Sequence, residues 1–119
     1  IPITQLMSEE RIEAISARTA GGGGEIVKLL ERGSAFYAPG SAAAIMAEAV
    51  LNDRRRVIPA SCYLTGQYGL EDVYIGVPCI LGANGVEQIF ELDLTDSELE
   101  SLHGSANFYK GQLKEILGY

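Results

Sequence analysis

From Val57 onward the chain reads with a period of two, and that alternation restricts this part to a half-buried antiparallel sheet. Val57 to Gln67, Val73 to Gly82 and Val86 to Leu94 are rich in β-branched and aromatic residues, and Gly69 and the Asn84-Gly85 dipeptide separate them at hairpin spacing. A three-stranded antiparallel meander is predicted. A turn centred on Asn84-Gly85 pairs Ala83 with Val86, then Leu81 with Gln88, Cys79 with Phe90, Val77 with Leu92 and Ile75 with Leu94. One face is then almost wholly apolar. The other carries Tyr74, Gly76, Pro78, Ile80, Ile89, Glu91 and Asp93, a mixed surface for solvent or a partner. Pro78 lies in the central strand and cannot donate to a ladder, so a bulge is expected there.

The flanking segments follow a helical period. Ser8 precedes Glu9 and Glu10, which suit the positive end of a helix dipole, and Ile12, Ala14 and Ile15 supply an apolar face to about Arg18. Ile26, Val27, Leu29 and Leu30 resume the pattern beyond Gly21–Gly24 and stop at Gly33, so either one kinked helix or two helices are expected. Ser34 to Asn52 reads as a further helix with Pro39 and Gly40 near its first turns. Its alanines, Ala42, Ala43, Ala44, Ala47 and Ala49, admit a close neighbour, and such a helix is expected to be buried. Arg54-Arg55-Arg56 follow it, cations placed to offset the negative end of its dipole. Thr95-Asp96-Ser97-Glu98 is a capping box ahead of Leu99, Leu102, Ala106, Tyr109, Leu113 and Ile116, a long last helix weakened at Gly104 and Gly111. The fold class is α+β, helices packed on a small antiparallel three-stranded meander.

The 119 residues suit one domain, and an apolar fraction of 47% with 21% charged residues is that of a globular chain. A net charge of −7 argues against a nucleic-acid partner, which needs clustered basic groups in excess. No apolar run is long enough to span a bilayer, no basic segment leads into a long apolar one, and a cytoplasmic location is expected. The chain opens on Ile1-Pro2-Ile3, which raises the expectation of a piece excised from something longer.

Chemistry is scarce in this sequence. A phosphate cradle needs a strand, a spaced glycine motif and a helix start, whereas Gly21–Gly24 follow a helical pattern and meet Glu25; a kink or close backbone packing is the reading. His103 is the single histidine and lies at the edge of the last apolar stripe, where a structural or solvent-facing role is expected. Cys62 and Cys79 fall on neighbouring strands without a CxxC motif and read as buried thiols, not as a disulfide or a zinc site. Glu87, Glu91, Asp93, Asp96, Glu98 and Glu100 read as solvated or capping carboxylates. No catalytic residue and no metal ligand set is assigned.

"GSAFYAPG" (Gly33 to Gly40) and "GVPCILGANGVEQIFELDL" (Gly76 to Leu94) resemble the malate and lactate dehydrogenase family, specifically its C-terminal half, and the likeness extends over nearly the whole chain. "GSAFYAPG" is similar to the lactate-dehydrogenase-like malate enzymes, whereas lactate enzymes tend to carry threonine at the position of Ala35. The resemblance implies that Ser34 and Ala35 border a substrate pocket and that Pro39 lies near the nicotinamide ring of NAD. It also implies malate or oxaloacetate as substrate and a homo-oligomer, a dimer or tetramer. Family members place the cofactor loop, the catalytic Asp–His pair and the substrate-clamping arginines ahead of the segment matched here. Residues 1–119 are therefore expected to form the C-terminal domain without its dinucleotide-binding partner, and to be inactive alone. The alternatives are a non-catalytic α+β module for self-association or partner binding, and a fragment of a lactate enzyme.

Overall fold

A short 3-10 turn at Ile3–Gln5 leads into helix α1 (Glu9–Leu30), followed by α2 (Tyr37–Leu51), β1 (Arg56–Thr65), β2 (Glu71–Gly82), β3 (Gly85–Ile89) and α3 (Asp96–Leu117) in the computed structural model, which describes residues 1–118. The strands pair antiparallel in the order β1-β2-β3, the expected meander. Backbone contacts divide the chain into two units, one from Ile1 to Ala44 and one from Ile45 onward.

In the first unit α1 is a single helix across Gly21–Gly24, neither split nor ended near Arg18 as the glycines suggested. Glu9 and Glu10 occupy its first turn and Lys28 its last, so both ends of the dipole meet a compensating charge. Arg18 Nη2 reaches Glu25 Oε1 at 3.3 Å across the glycine run, an exposed pair that adds little by itself. α2 starts at Tyr37, which places Pro39 in the first turn, where a missing N–H leaves no helical bond unmade.

The expected burial of α2 is not observed. Ala49 is its buried residue, while Ala42, Ala43, Ala44 and Ala47 are exposed. The alanine pattern permits a close neighbour, and the described residues leave that face uncovered. The arginines that follow α2, expected to offset the negative end of its dipole, also form ion pairs. They lie beyond the last turn, with Arg54 and Arg56 reaching Glu48 at 3.2 and 3.9 Å and Arg55 Nε reaching Glu87 Oε2 at 2.8 Å.

In the second unit the alternation along β2 is realised: Val73, Ile75, Val77, Cys79 and Leu81 are buried. Val73, Ile75, Val77 and Cys79 form a core with Cys62 and Leu64 of β1 and the buried Ala106 of α3, and Leu99 and Leu102 pack against it. Each such side chain removed from water contributes roughly 1.5–3 kcal/mol, which makes this face the main source of stability. α3 starts on the predicted capping box. Thr95 N donates to Glu98 Oε2 at 2.8 Å and Glu98 N to Thr95 Oγ1 at 3.4 Å. Tyr109, Leu113 and Ile116, expected on the same apolar stripe, remain exposed.

The second hairpin departs from the predicted register. Gly82 pairs with Gly85 and Leu81 with Val86, then a shift places Ile80 opposite Gln88 and Cys79 opposite Ile89. The turn is one residue earlier than expected because only Gly85, at φ 84, is left-handed; neither Ala83 nor Asn84 has positive φ, so the mirror-image turn is not formed. Glu87 is the extra residue of the bulge. Gly82 permits the close approach here, since a Cβ would stand 2.5 Å from Glu87 Oε1 and 2.9 Å from Asp53 Oδ1. As a result Ile89, expected on the mixed face, packs on the core, and Leu92, expected on the apolar face, is exposed.

Pro78 does not cause a bulge. It pairs with Pro59 of β1 without a break in register. In an antiparallel ladder the N and O of one residue point the same way, and Pro78 O, accepting from Phe90 N at 2.9 Å, shows that this side faces the chain after β3. A regular pair would return an N–H from residue 78 to the Phe90 carbonyl. Proline has none, and Tyr68 Oη donates to Phe90 O instead at 2.7 Å while accepting from Leu92 N at 2.9 Å. β3 therefore ends at Ile89, not at Leu94, and the chain to α3 is held by a tyrosine.

The glycines of α1 supply a test of its helical state. A Cβ at any of Gly21–Gly24 meets nothing within 4 Å. Gly22→Ala should raise far-UV helicity and stabilise the helix by about 1 kcal/mol, as for an exposed helix interior; a loss of helicity would show that the segment is not helical in solution.

Candidate functional site

The three residues singled out for binding lie in one short segment of the first unit. Ser34 and Ala35 sit in the connection between α1 and α2, Ser34 exposed and Ala35 half-buried, and Pro39 is exposed in the first turn of α2. The connection is held by its own backbone: Phe36 N donates to Ser34 O at 3.0 Å, and Gly40 N donates to Phe36 O at 2.8 Å. The Phe36 and Tyr37 rings stack at 4.6 Å between centroids. The segment thus presents a hydroxyl, a methyl group, two stacked rings and a pyrrolidine on a fixed turn. Between Ser34 and Pro39 the only ionisable side chain is the Tyr37 phenol.

Such a surface can line a pocket and exclude water. It offers no general acid or base of ordinary strength and no cation to balance a carboxylate. The glycines of α1 do not supply a phosphate cradle either, because their N–H groups lie inside a continuous helix and are used by it.

The other candidates are engaged structurally. His103 Nε2 stands 2.8 Å from the Tyr68 carbonyl, which can only accept, so this nitrogen carries the hydrogen and ties α3 to the β1–β2 loop. Glu91, expected to be solvated, accepts the Tyr68 N–H at 2.6 Å. Tyr68 itself was not recognised in the sequence. It sits at φ 56, ψ 19 between Gly66 and Gly69, and the tyrosine flanked by glycines was the signal available. Among the described residues no group of three or more His, Cys, Asp or Glu is placed to hold a metal ion.

A cavity of about 330 Å³ in the second unit is lined by Tyr68, Pro78, Leu92, Leu94, Ser101 and Leu102 among others, and its one carboxylate is Glu98. The backbone N–H and hydroxyl of Thr95 hold that carboxyl below its usual range, which commits it to capping α3. None of Ser34, Ala35 or Pro39 borders this cavity.

The sequence and fold resolve the class of the chain. All of residues 1–118 match the lactate/malate dehydrogenase alpha/beta C-terminal domain, and the chain belongs to that family. A malate dehydrogenase of Thermomicrobium roseum (strain ATCC 27502 / DSM 5159 / P-2) is 61% identical over 107 residues, 90% of this chain and 34% of that protein. The structure of the Salinibacter ruber malate dehydrogenase superposes with a TM-score of 0.92 at 49% identity, covering 98% of this chain and 38% of that one. The lactate dehydrogenase of Eimeria maxima, solved with NADH and oxamate, gives 0.91 at 46% identity, covering 99% and 38%. The chain spans little more than a third of the length of these relatives.

Cys62 and Cys79 are buried free thiols, as expected. Burial pushes the Cys62 thiol from 9.0 up to about 11, and the neighbouring Cys79 adds to the shift. Because the folded value is the higher one, the contribution of this thiol to stability is complete below pH about 9 and is lost as pH rises towards about 11. Urea midpoints measured across that window should fall, and Cys62→Ala should flatten the fall; an unchanged slope would contradict the assignment.

Proposed function

We propose that this chain, residues 1–119, is the substrate-side domain of an NAD-dependent malate dehydrogenase, a cytoplasmic homo-oligomer in its complete form. The observation that carries the reading is the match of residues 1–118 to the family's C-terminal domain, with 61% identity over 107 residues to a malate dehydrogenase. In this reading Ser34 and Ala35 border the malate or oxaloacetate site, and Pro39 packs by its ring near the nicotinamide. NAD, when bound, would supply the hydride chemistry, and the part of the enzyme outside this chain would hold it. The contribution of these residues is to shape the cavity and keep water out.

Ala35 favours malate over lactate chemistry through size. Its methyl leaves room beside the substrate where threonine would add bulk and a hydroxyl. One such change in a pocket alters discrimination by about 10–200-fold.

A non-catalytic partner-binding module is the second reading, favoured by the exposed alanine face of α2. Joining the chain to the dinucleotide-binding half of the Salinibacter ruber enzyme separates the two. The chain alone should neither bind NADH nor reduce oxaloacetate, the joined protein should do both, and Ala35→Thr in it should lower kcat/KM for oxaloacetate by about tenfold or more. A folded, joined protein without turnover would favour the module, and turnover by the chain alone would overturn both readings.

A further inference from the structure

We propose that Asn84 is a site of spontaneous modification, its amide lost through a cyclic imide formed with the backbone nitrogen of Gly85. Asn84 is exposed at the tip joining β2 to β3. The residue after it has no side chain to shield its nitrogen, and the left-handed φ of 84° that Gly85 adopts is one only glycine holds without strain. The asparagine side chain is lightly held: Nδ2 makes one long hydrogen bond, 3.5 Å to Glu87 Oε1.

In the first step the Gly85 nitrogen gives up its proton and attacks Asn84 Cγ. A bond forms between that nitrogen and Cγ, the bond from Cγ to Nδ2 breaks, and the amide nitrogen takes up the released proton through solvent and leaves as ammonia. A solvent water then opens the ring. Attack at Cγ leaves aspartate, and attack at the main-chain carbonyl leaves isoaspartate, which carries the backbone through the side chain.

The surroundings give the change a structural consequence. Asp53 Oδ1 accepts from Ala83 N at 2.9 Å, and Glu87 is held by Arg55 at 2.8 Å, so the tip already carries two carboxylates against one arginine. A new carboxylate at position 84 turns the hydrogen bond to Glu87 into a repulsion and competes for Arg55. The isoaspartyl form also lengthens the backbone inside the turn where Gly82 pairs with Gly85. Ageing at this residue therefore loosens the hairpin that ends at the core residue Leu81.

Two other asparagines serve as internal references: Asn52 precedes Asp53, and Asn107 precedes Phe108 within α3. The purified chain is held folded in mildly alkaline buffer, digested, and read by peptide mass spectrometry with an isoaspartyl assay. Amide loss at Asn84 should exceed that at Asn52 or Asn107 by roughly tenfold, because glycine leaves its nitrogen open. The product should include isoaspartate, and Asn84→Gln, whose longer side chain disfavours the ring, should abolish it. Equal loss at all three positions, aspartate without isoaspartate, or a tip that reacts only after the chain is unfolded in urea would each overturn the proposal.

Discussion

The second unit depends on how the chain compensates a proline in its central strand. Pro78 removes a ladder donor at the point where β3 would otherwise continue, and the Phe90 carbonyl opposite is left for another partner. Tyr68 fills that position with its hydroxyl. The same residue receives Leu92 N, gives its own N–H to Glu91 and accepts His103 through its carbonyl. One buried tyrosine thus joins the β1–β2 loop, the chain after β3, and α3. An unmade hydrogen bond at a buried carbonyl costs about 1–3 kcal/mol, an upper bound for the half-buried Phe90, so the substitution of donor matters.

This arrangement explains why the chain's conspicuous polar residues do not make a reactive centre. The single histidine and the carboxylate at Glu91 are spent on Tyr68, and Glu98 is spent on the cap of α3. The segment from Ser34 to Pro39 retains a surface but no histidine, carboxylate or cation. A family member that spans about a third of its relatives' length is consistent with that division, the reactive groups being proposed to lie in the remainder. The exposed apolar side chains of α1, such as Leu29 at 77% exposure, and the uncovered alanines of α2 belong to the same account. These helices present surface that the described residues leave open.

Local patterns were legible in the sequence, and distant ones were not. Alternation identified the core face of β2, Thr95 and Glu98 announced α3, and the cysteines read as buried thiols because each signal needs only neighbours within a few residues. The hairpin turn was misread because Asn84-Gly85 fits two turn types, and the choice rests on whether Asn84 or only Gly85 takes positive φ. Pro78 was expected to mark a bulge, but the register runs through it unbroken and only its ladder donor is missing. The repair was invisible, since Tyr68 lies 22 residues from Phe90 and 35 from His103. Ser34, Ala35 and Pro39 were expected at a binding site from resemblance, not from any chemistry that they display alone.

A double-mutant cycle on residues 68 and 78 reads the compensation directly. Tyr68→Phe deletes the stand-in donor, and Pro78→Ala restores the backbone N–H for which it substitutes. Urea unfolding of the four proteins should show Tyr68→Phe costing about 1–3 kcal/mol with proline at 78 and clearly less with alanine there. Equal costs in both backgrounds would mean that the hydroxyl and the missing N–H are unrelated, and the account of how this sheet ends would be wrong.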